Sequence, residues 1–171
     1  MIINHVELIR NLVNEFSAVA RFPTADPKPC ALAPIIEETV ALYKEGHPDI
    51  RFDVHVPEAI PIMSLDRQQI KQAMINLVDN AVSAIRSTGE IRIAISHDPI
   101  LKMVRIEVTD DGEGISEEDK IRLFEPNFST KKAGMGLGLT IVNSIVTDHN
   151  GMIRVQDNLP KGAKFVIELP V

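Results

Sequence analysis

The chain has 171 residues, 44% apolar and 25% charged, a composition that suits one soluble domain of mixed secondary structure with room for a short appended segment. A net charge of -6 leaves no broad basic surface, and with no tryptophan and one tyrosine, Tyr43, there is no aromatic platform for stacking bases, which excludes nucleic acid and anionic membrane as principal partners. The single Cys30 excludes an internal disulfide and a thiolate metal cluster and fits a cytoplasmic setting, no apolar run reaches the roughly 20 residues of a membrane helix, and the start MIINHVELIRN lacks a signal-peptide pattern.

Ile2, Val6, Ile9, Val13 and Phe16 recur with 4-3-4-3 spacing, the seam of a helix that lies lengthwise on a partner helix. The seam runs for fewer than three heptads, so it reads as the end of a longer helical hairpin or as a helix docked on its own domain. FPTADPKP, Phe22 to Pro29, then places three prolines in eight residues, which no helix continues through. The expected organisation is a helical stub over 1–22, a linker over 23–33 and a folded domain over 34–171.

From Pro34 a helix is expected through PIIEETVALYKEG, ending at Gly46, followed by the strand IRFDVHV, the short strand PIMSL and a long helix beginning near Asp66. IRIAIS and MVRIEVTD alternate as two strands around a hairpin loop, HDPILK. A glycine-rich stretch leads into the helix GLGLTIVNSIVTDH, stopped by Asn150-Gly151, and two strands, MIRVQD and AKFVIELP, close the chain. Five or six strands in hairpin order with three main helices predict an α+β fold, a two-layer sandwich with helices on one face of a mixed, mostly antiparallel sheet.

Three stretches carry chemistry. On the long helix Gln69, Gln72, Asn76, Asn80, Ser83 and Ser87 form one nearly uncharged polar stripe, while Ile70, Ala73, Met74, Leu77, Val78, Ala81, Val82 and Ile85 bury the other side. Neutral amides suit either a ligand-binding wall or a polar face capped by loops. DDGEGI, Asp110 to Ile115, sets a carboxylate at a strand end and two glycines just beyond it; an ordinary Asp-Gly turn and a pocket for a flat ring bearing an amine both fit. KKAGMGLGLT, Lys131 to Thr140, puts Gly134, Gly136 and Gly138 before a helix, as an anion nest with two lysines beside it and a lid that orders on ligand, or as a flexible turn. It is neither a Walker P-loop nor a dinucleotide fingerprint.

The order NLVDNA, DDGEGI, LFEPNFSTKK, GMGLGL resembles the N, G1, F and G2 boxes of the histidine-kinase catalytic domain, in the Bergerat-type ATPase superfamily, over residues 30 to 171. LVNEFSAVARFPTADPKP also resembles the end of the second dimerisation helix and the linker of NtrY-like nitrogen-regulation sensor kinases. The resemblance implies a domain that binds ATP and Mg²⁺ and transfers the γ-phosphoryl to a histidine. Asn76 and Asn80 would face the phosphates, with Asn80 the principal Mg²⁺ ligand and Asn76 beside it. Asp110 would hold the adenine amine, with Gly112, Gly114 and Ile115 against base and sugar. Phe124, Thr130, Lys131 and Lys132 would form the lid base, and the amides around Gly134, Gly136, Leu137, Gly138 and Leu139 would cradle the triphosphate.

Several positions depart from the family pattern. Met135 stands where Thr or Ser is frequent, Asn127 where an aromatic is common, and Ala163 where a hydroxyl residue often helps hold adenine; the lid is also short. None of His5, His47, His55, His97 or His149 sits in a phosphoacceptor motif, so the accepting histidine is expected outside this chain. The implied partners are ATP, the dimerisation domain of a parent kinase, itself a homodimer that is either soluble or membrane-anchored, and a response regulator. The alternative readings are a non-kinase ATPase of the same superfamily, in which a glutamate usually holds the place of Asn76, and a docking module without turnover.

Overall fold

The computed structural model describes residues 24–126, 128–129 and 136–171; the seam from Ile2 to Phe16, with the rest of the expected helical stub, lies outside them. In chain order the elements are strand β1 (Lys28–Cys30), helix α1 (Leu32–Lys44), strands β2 (Ile50–His55) and β3 (Met63–Leu65), and helix α2 (Arg67–Ala84). Strands β4 (Gly89–Asp98) and β5 (Met103–Asp110), helices α3 (Glu117–Arg122) and α4 (Gly138–Asp148), and strands β6 (Met152–Asp157) and β7 (Ala163–Pro170) follow.

Five strands form one sheet in the order β2-β4-β5-β7-β6, with β2 and β4 parallel and every other pairing antiparallel. Strand residues at period two point to one side: Ile91, Ile93 and Ile95 on β4, Val104, Ile106 and Val108 on β5, and Phe165, Ile167 and Leu169 on β7 are all buried. The helices cover that side. α1 packs on β2, α2 on β4 and β5, and α4 on β6, with α2 between its two neighbours. The result is the expected two-layer α+β sandwich with a mixed, mostly antiparallel sheet. On the other face Glu168 bridges Arg105 and Arg154, and Val166 is buried between its register partners Glu107 and Arg154.

The central helix forms where the sequence marks it. Asp66 is its N-cap, with Oδ1 accepting the N–H groups of Gln68 at 3.0 Å and Gln69 at 3.1 Å. Ile70, Ala73, Met74, Leu77, Val78 and Ala81 are buried at helical spacing.

Some boundaries differ from the expectation. α1 starts at Leu32, fully buried, so Pro34 is its third residue; first-turn N–H groups lack helical partners anyway, and proline costs nothing there. Residues 28–30, expected within a linker, pair with β3 in a two-stranded ribbon. α2 ends at Ala84, which leaves Ser87 beyond the helix and shortens the polar stripe to Ser83. At the end of α4 it is Asn150, at φ 58°, that takes the left-handed conformation, whereas Gly151 is needed because a Cβ there would lie 2.5 Å from the Glu168 carbonyl. Among the described residues no helix is long and apolar enough to cross a membrane.

Candidate functional site

Asp110 is in register with Ile91 and continues the inward series Val104, Ile106, Val108, so its carboxylate points to the helix side at the end of β5 and is only 3% exposed. Oδ1 accepts the N–H groups of Gly112 at 2.9 Å and Ala163 at 3.3 Å, which anchors the turn after β5 and the start of β7 to one carboxylate. The turn is pressed onto the end of α2: a Cβ on Gly112 would lie 2.6 Å from the Ala84 carbonyl, which also accepts the N–H of Glu113 at 3.1 Å. Gly114 takes φ +77° beside Gly162, and Ile115 is half-buried against the core.

At the other end of the site α4 begins against α2. A Cβ on Gly138 would stand 3.7 Å from Asn76 Oδ1, so the first residue of α4 faces the Asn76 amide directly. Asn76 Nδ2 is buried and has no hydrogen-bond partner among the described residues. A buried donor left unmade costs about 1–3 kcal/mol, so its persistence next to a helix N-terminus signals a place for an acceptor. The first N–H groups of a helix have no partner within it and carry the positive end of the dipole, an environment that favours an anion. Asn80, half-buried, lies one turn further along α2 towards the Asp110 turn. The two contact points on α2, Asn76 and Ala84, are separated by about 12 Å of helix.

The segment between these poles is tied down at both ends. Ser116 Oγ caps α3 by accepting the N–H of Asp119 at 3.1 Å. Phe124 is half-buried, and its carbonyl accepts the Thr140 hydroxyl at 3.3 Å, joining this segment to the first turn of α4. Arg122 lies 4.8 Å over the Phe128 ring. Gly136, at φ +69°, is packed on Phe128 so closely that a Cβ would fall 2.3 Å from the Phe128 carbonyl. Leu137 is buried as the N-cap residue of α4, and Leu139 is half-buried against the core. Asn76, Asp110, Gly112, Gly114, Ile115, Phe124, Gly136, Leu137, Gly138 and Leu139 therefore fall into two clusters joined by α2, on which Asn80 sits between them. Thr130, Lys131, Lys132, Gly134, Met135 and Asn127 lie outside the described residues.

With this geometry in place, the likeness to known proteins is decisive. Residues 65–171 match the family model described as histidine kinase-, DNA gyrase B-, and HSP90-like ATPase. The fold superposes on the catalytic domain of histidine kinase ThkA with a TM-score of 0.77 at 34% identity, covering 85% of this chain and 95% of that one. The chain belongs to the histidine-kinase catalytic domains. This kinase domain is also 37% identical over 173 residues to nitrogen regulation protein NtrY of Azorhizobium caulinodans, an alignment that spans 98% of the chain but 22% of that protein. A crystal structure of ThkA in complex with the response regulator protein TrrA matches with a TM-score of 0.80 at 30% identity, over 99% of the chain and 49% of that one.

Gly162, Asn158 and Thr140 around the site, and His149 at the far end of α4, make contacts that a motif reading does not reach. Gly162, at φ +115°, would put a Cβ 1.9 Å from the Asp110 carbonyl, and Asn158 Nδ2 donates to the same carbonyl at 2.9 Å. The turn NLPKG between the last two strands was their only local signal. Thr140 and His149 make bonds to residues far away in the chain, and nothing near them in the sequence marks those partners.

Proposed function

We propose that this domain binds ATP with Mg²⁺ along α2, between the turn after β5 and the N-terminus of α4, and passes the γ-phosphoryl to a histidine outside the chain. The observation that carries the reading is Asn76 at the start of α4, its Oδ1 beside Gly138 and its buried Nδ2 without a hydrogen-bond partner among the described residues. A phosphate oxygen is an acceptor that fits this corner.

Asp110 receives the exocyclic amine of adenine on a carboxylate that the Gly112 and Ala163 amides hold in place at the strand end. Gly112, Gly114 and Ile115 let the ring and sugar approach the backbone. Asn76 and the amides at Gly136, Leu137, Gly138 and Leu139 hold the phosphates, joined by Gly134, while Phe124, Thr130, Lys131 and Lys132 frame the lid. Asn80, through its side-chain oxygen, serves Mg²⁺, which is ordinarily bound by one or two protein oxygens together with substrate phosphates. The ion, when bound, neutralises phosphate charge. An amide cannot take a proton from water, so Asn76 orients the nucleotide without activating hydrolysis, and catalysis rests on positioning and charge neutralisation. Partners that fit are a dimerisation domain carrying the histidine, in a homodimeric parent kinase, and a response regulator, which the assembly of ThkA with TrrA supports. The setting is the cytoplasm.

Titration with ATP tests the reading. The expected result is Mg²⁺-dependent binding at or below about 1 mM, weakened about tenfold or more by Asp110→Asn and made insensitive to Mg²⁺ by Asn80→Ala. No binding at millimolar nucleotide with Mg²⁺ would overturn it.

A further inference from the structure

His149 is 6% exposed, although it ends an amphipathic helix where a histidine needs only to meet the helix dipole in solvent. Both ring nitrogens are engaged. Nδ1 lies 2.7 Å from the Ile145 carbonyl, which can only accept, so Nδ1 carries the proton. Nε2 lies 2.9 Å from the Asp66 main-chain nitrogen, which can only donate, so Nε2 is the acceptor. One neutral imidazole thus bridges the last turn of α4 to the N-cap residue of α2.

Asp66 is itself a junction. Its Oδ1 caps α2 through Gln68 and Gln69, and its Oδ2 accepts the N–H of Asp26 at 3.0 Å, in the segment that leads into β1. Burial opposes its ionisation, but the amides of Asp26, Gln69 and Gln68 outweigh that and hold its carboxyl below the ordinary carboxylate range. The bridge from His149 therefore ends on a fixed point of the fold.

The two helices run antiparallel, so His149 with Asp66 lies at one end of their contact and Gly138 with Asn76 at the other. Eleven residues of α4 separate the ends, about 16 Å of helix. Between them α2 and α4 pack on each other, and the buried residues of both helices that join the core are, Gln69 apart, apolar; such contacts fix a spacing but tolerate small axial slips because they are not directional. A directional bond at one end of a stiff helix sets the axial position of the other end.

We infer that His149 is a positioning residue for the nucleotide site: through Asp66 it fixes the register of α4 on α2 and hence the distance from Gly138 to Asn76. The inference rests on the ATP reading only for its consequence, since the register itself exists without nucleotide. A displacement of 1 Å at a site that works by positioning costs on the order of 10²-fold.

Two substitutions in the full chain separate this role from simple packing. His149→Asn keeps a donor at the place of Nδ1 and loses the reach to Asp66; His149→Gln keeps an acceptor at the place of Nε2 and loses the bond to Ile145. The expected result is that the two variants melt within about 4 °C of each other, while the Kd for ATP with Mg²⁺ rises about tenfold in His149→Asn and stays near that of the unsubstituted chain in His149→Gln. Amide hydrogen exchange over residues 138–141, measured without nucleotide, is expected to be faster in the Asn variant than in the Gln variant. Equal exchange there in both variants, or affinities that simply follow the melting temperatures, would overturn the latch. Failure of the unsubstituted chain to bind ATP would defeat the nucleotide reading instead, with hydrogen exchange still deciding the register.

Discussion

The carboxylate of Asp110 shows how a residue readable in the sequence depends on others that are not. Its strand-end place and the glycines after it stand out in DDGEGI, because a strand period and an Asp-Gly turn are local signals. What holds it is Gly162, about fifty residues later, with no room for a side chain against the Asp110 carbonyl. Gly162→Ala would have to move that carbonyl and adopt φ near +115°, so we expect a loss of about 2 kcal/mol or more in denaturant unfolding. Gly46→Ala is the matched control: its Cβ would meet nothing nearer than 3.8 Å, and a change within about 0.5 kcal/mol is expected. Equal effects of the two substitutions would refute this account of the turn. Thr140, Asn158 and His149 were illegible for the same reason as Gly162, since each takes its meaning from a partner distant in sequence.

Elements with strong internal periodicity were the legible ones. α2 has an N-cap aspartate and six buried apolar positions at helical spacing, and β4 and β5 alternate cleanly, so helix and hairpin follow from the pattern. β1 could not be read: three residues with Pro27 before them and Pro29 at their centre carry no period, and only pairing with β3 makes them a strand at an edge, where proline is tolerated. The face of the sheet opposite the helices is stitched by charge. A hydrogen bond from Arg105, with the charges of Arg154 and Arg105, holds the Glu168 carboxyl below its ordinary range against an opposing effect of burial. A carboxyl depressed in the folded state contributes stability above its unfolded value, near pH 4.3, and that contribution is lost as pH falls through the lower folded value. Between about pH 5 and pH 3 the unsubstituted chain should lose more stability than Glu168→Gln. Urea midpoints measured across that range check this, and parallel curves for the two proteins would contradict it.

On the scale of the whole molecule, the class of fold was legible and the detailed arrangement was not. The alternation of strands and helices predicts a two-layer sandwich, but the parallel pairing of β2 with β4 comes from the passage of the chain through β3 and α2 between them, a tertiary fact no window of sequence contains. The layering builds the proposed site: α2 carries Asn76 and Asn80, the sheet delivers Asp110 at one end, and α4 presents its N-terminus at the other. Because the domain supplies positioning and no histidine in an acceptor motif, it is expected to phosphorylate another chain and not itself. The direct measurement combines this chain, γ-labelled ATP and Mg²⁺ with a separate dimerisation-helix fragment bearing a phosphoacceptor histidine. The account predicts acid-labile label on the fragment, abolished by Asn80→Ala, and none on the domain. Label on the domain alone, or steady phosphate release with none on the fragment, would contradict it.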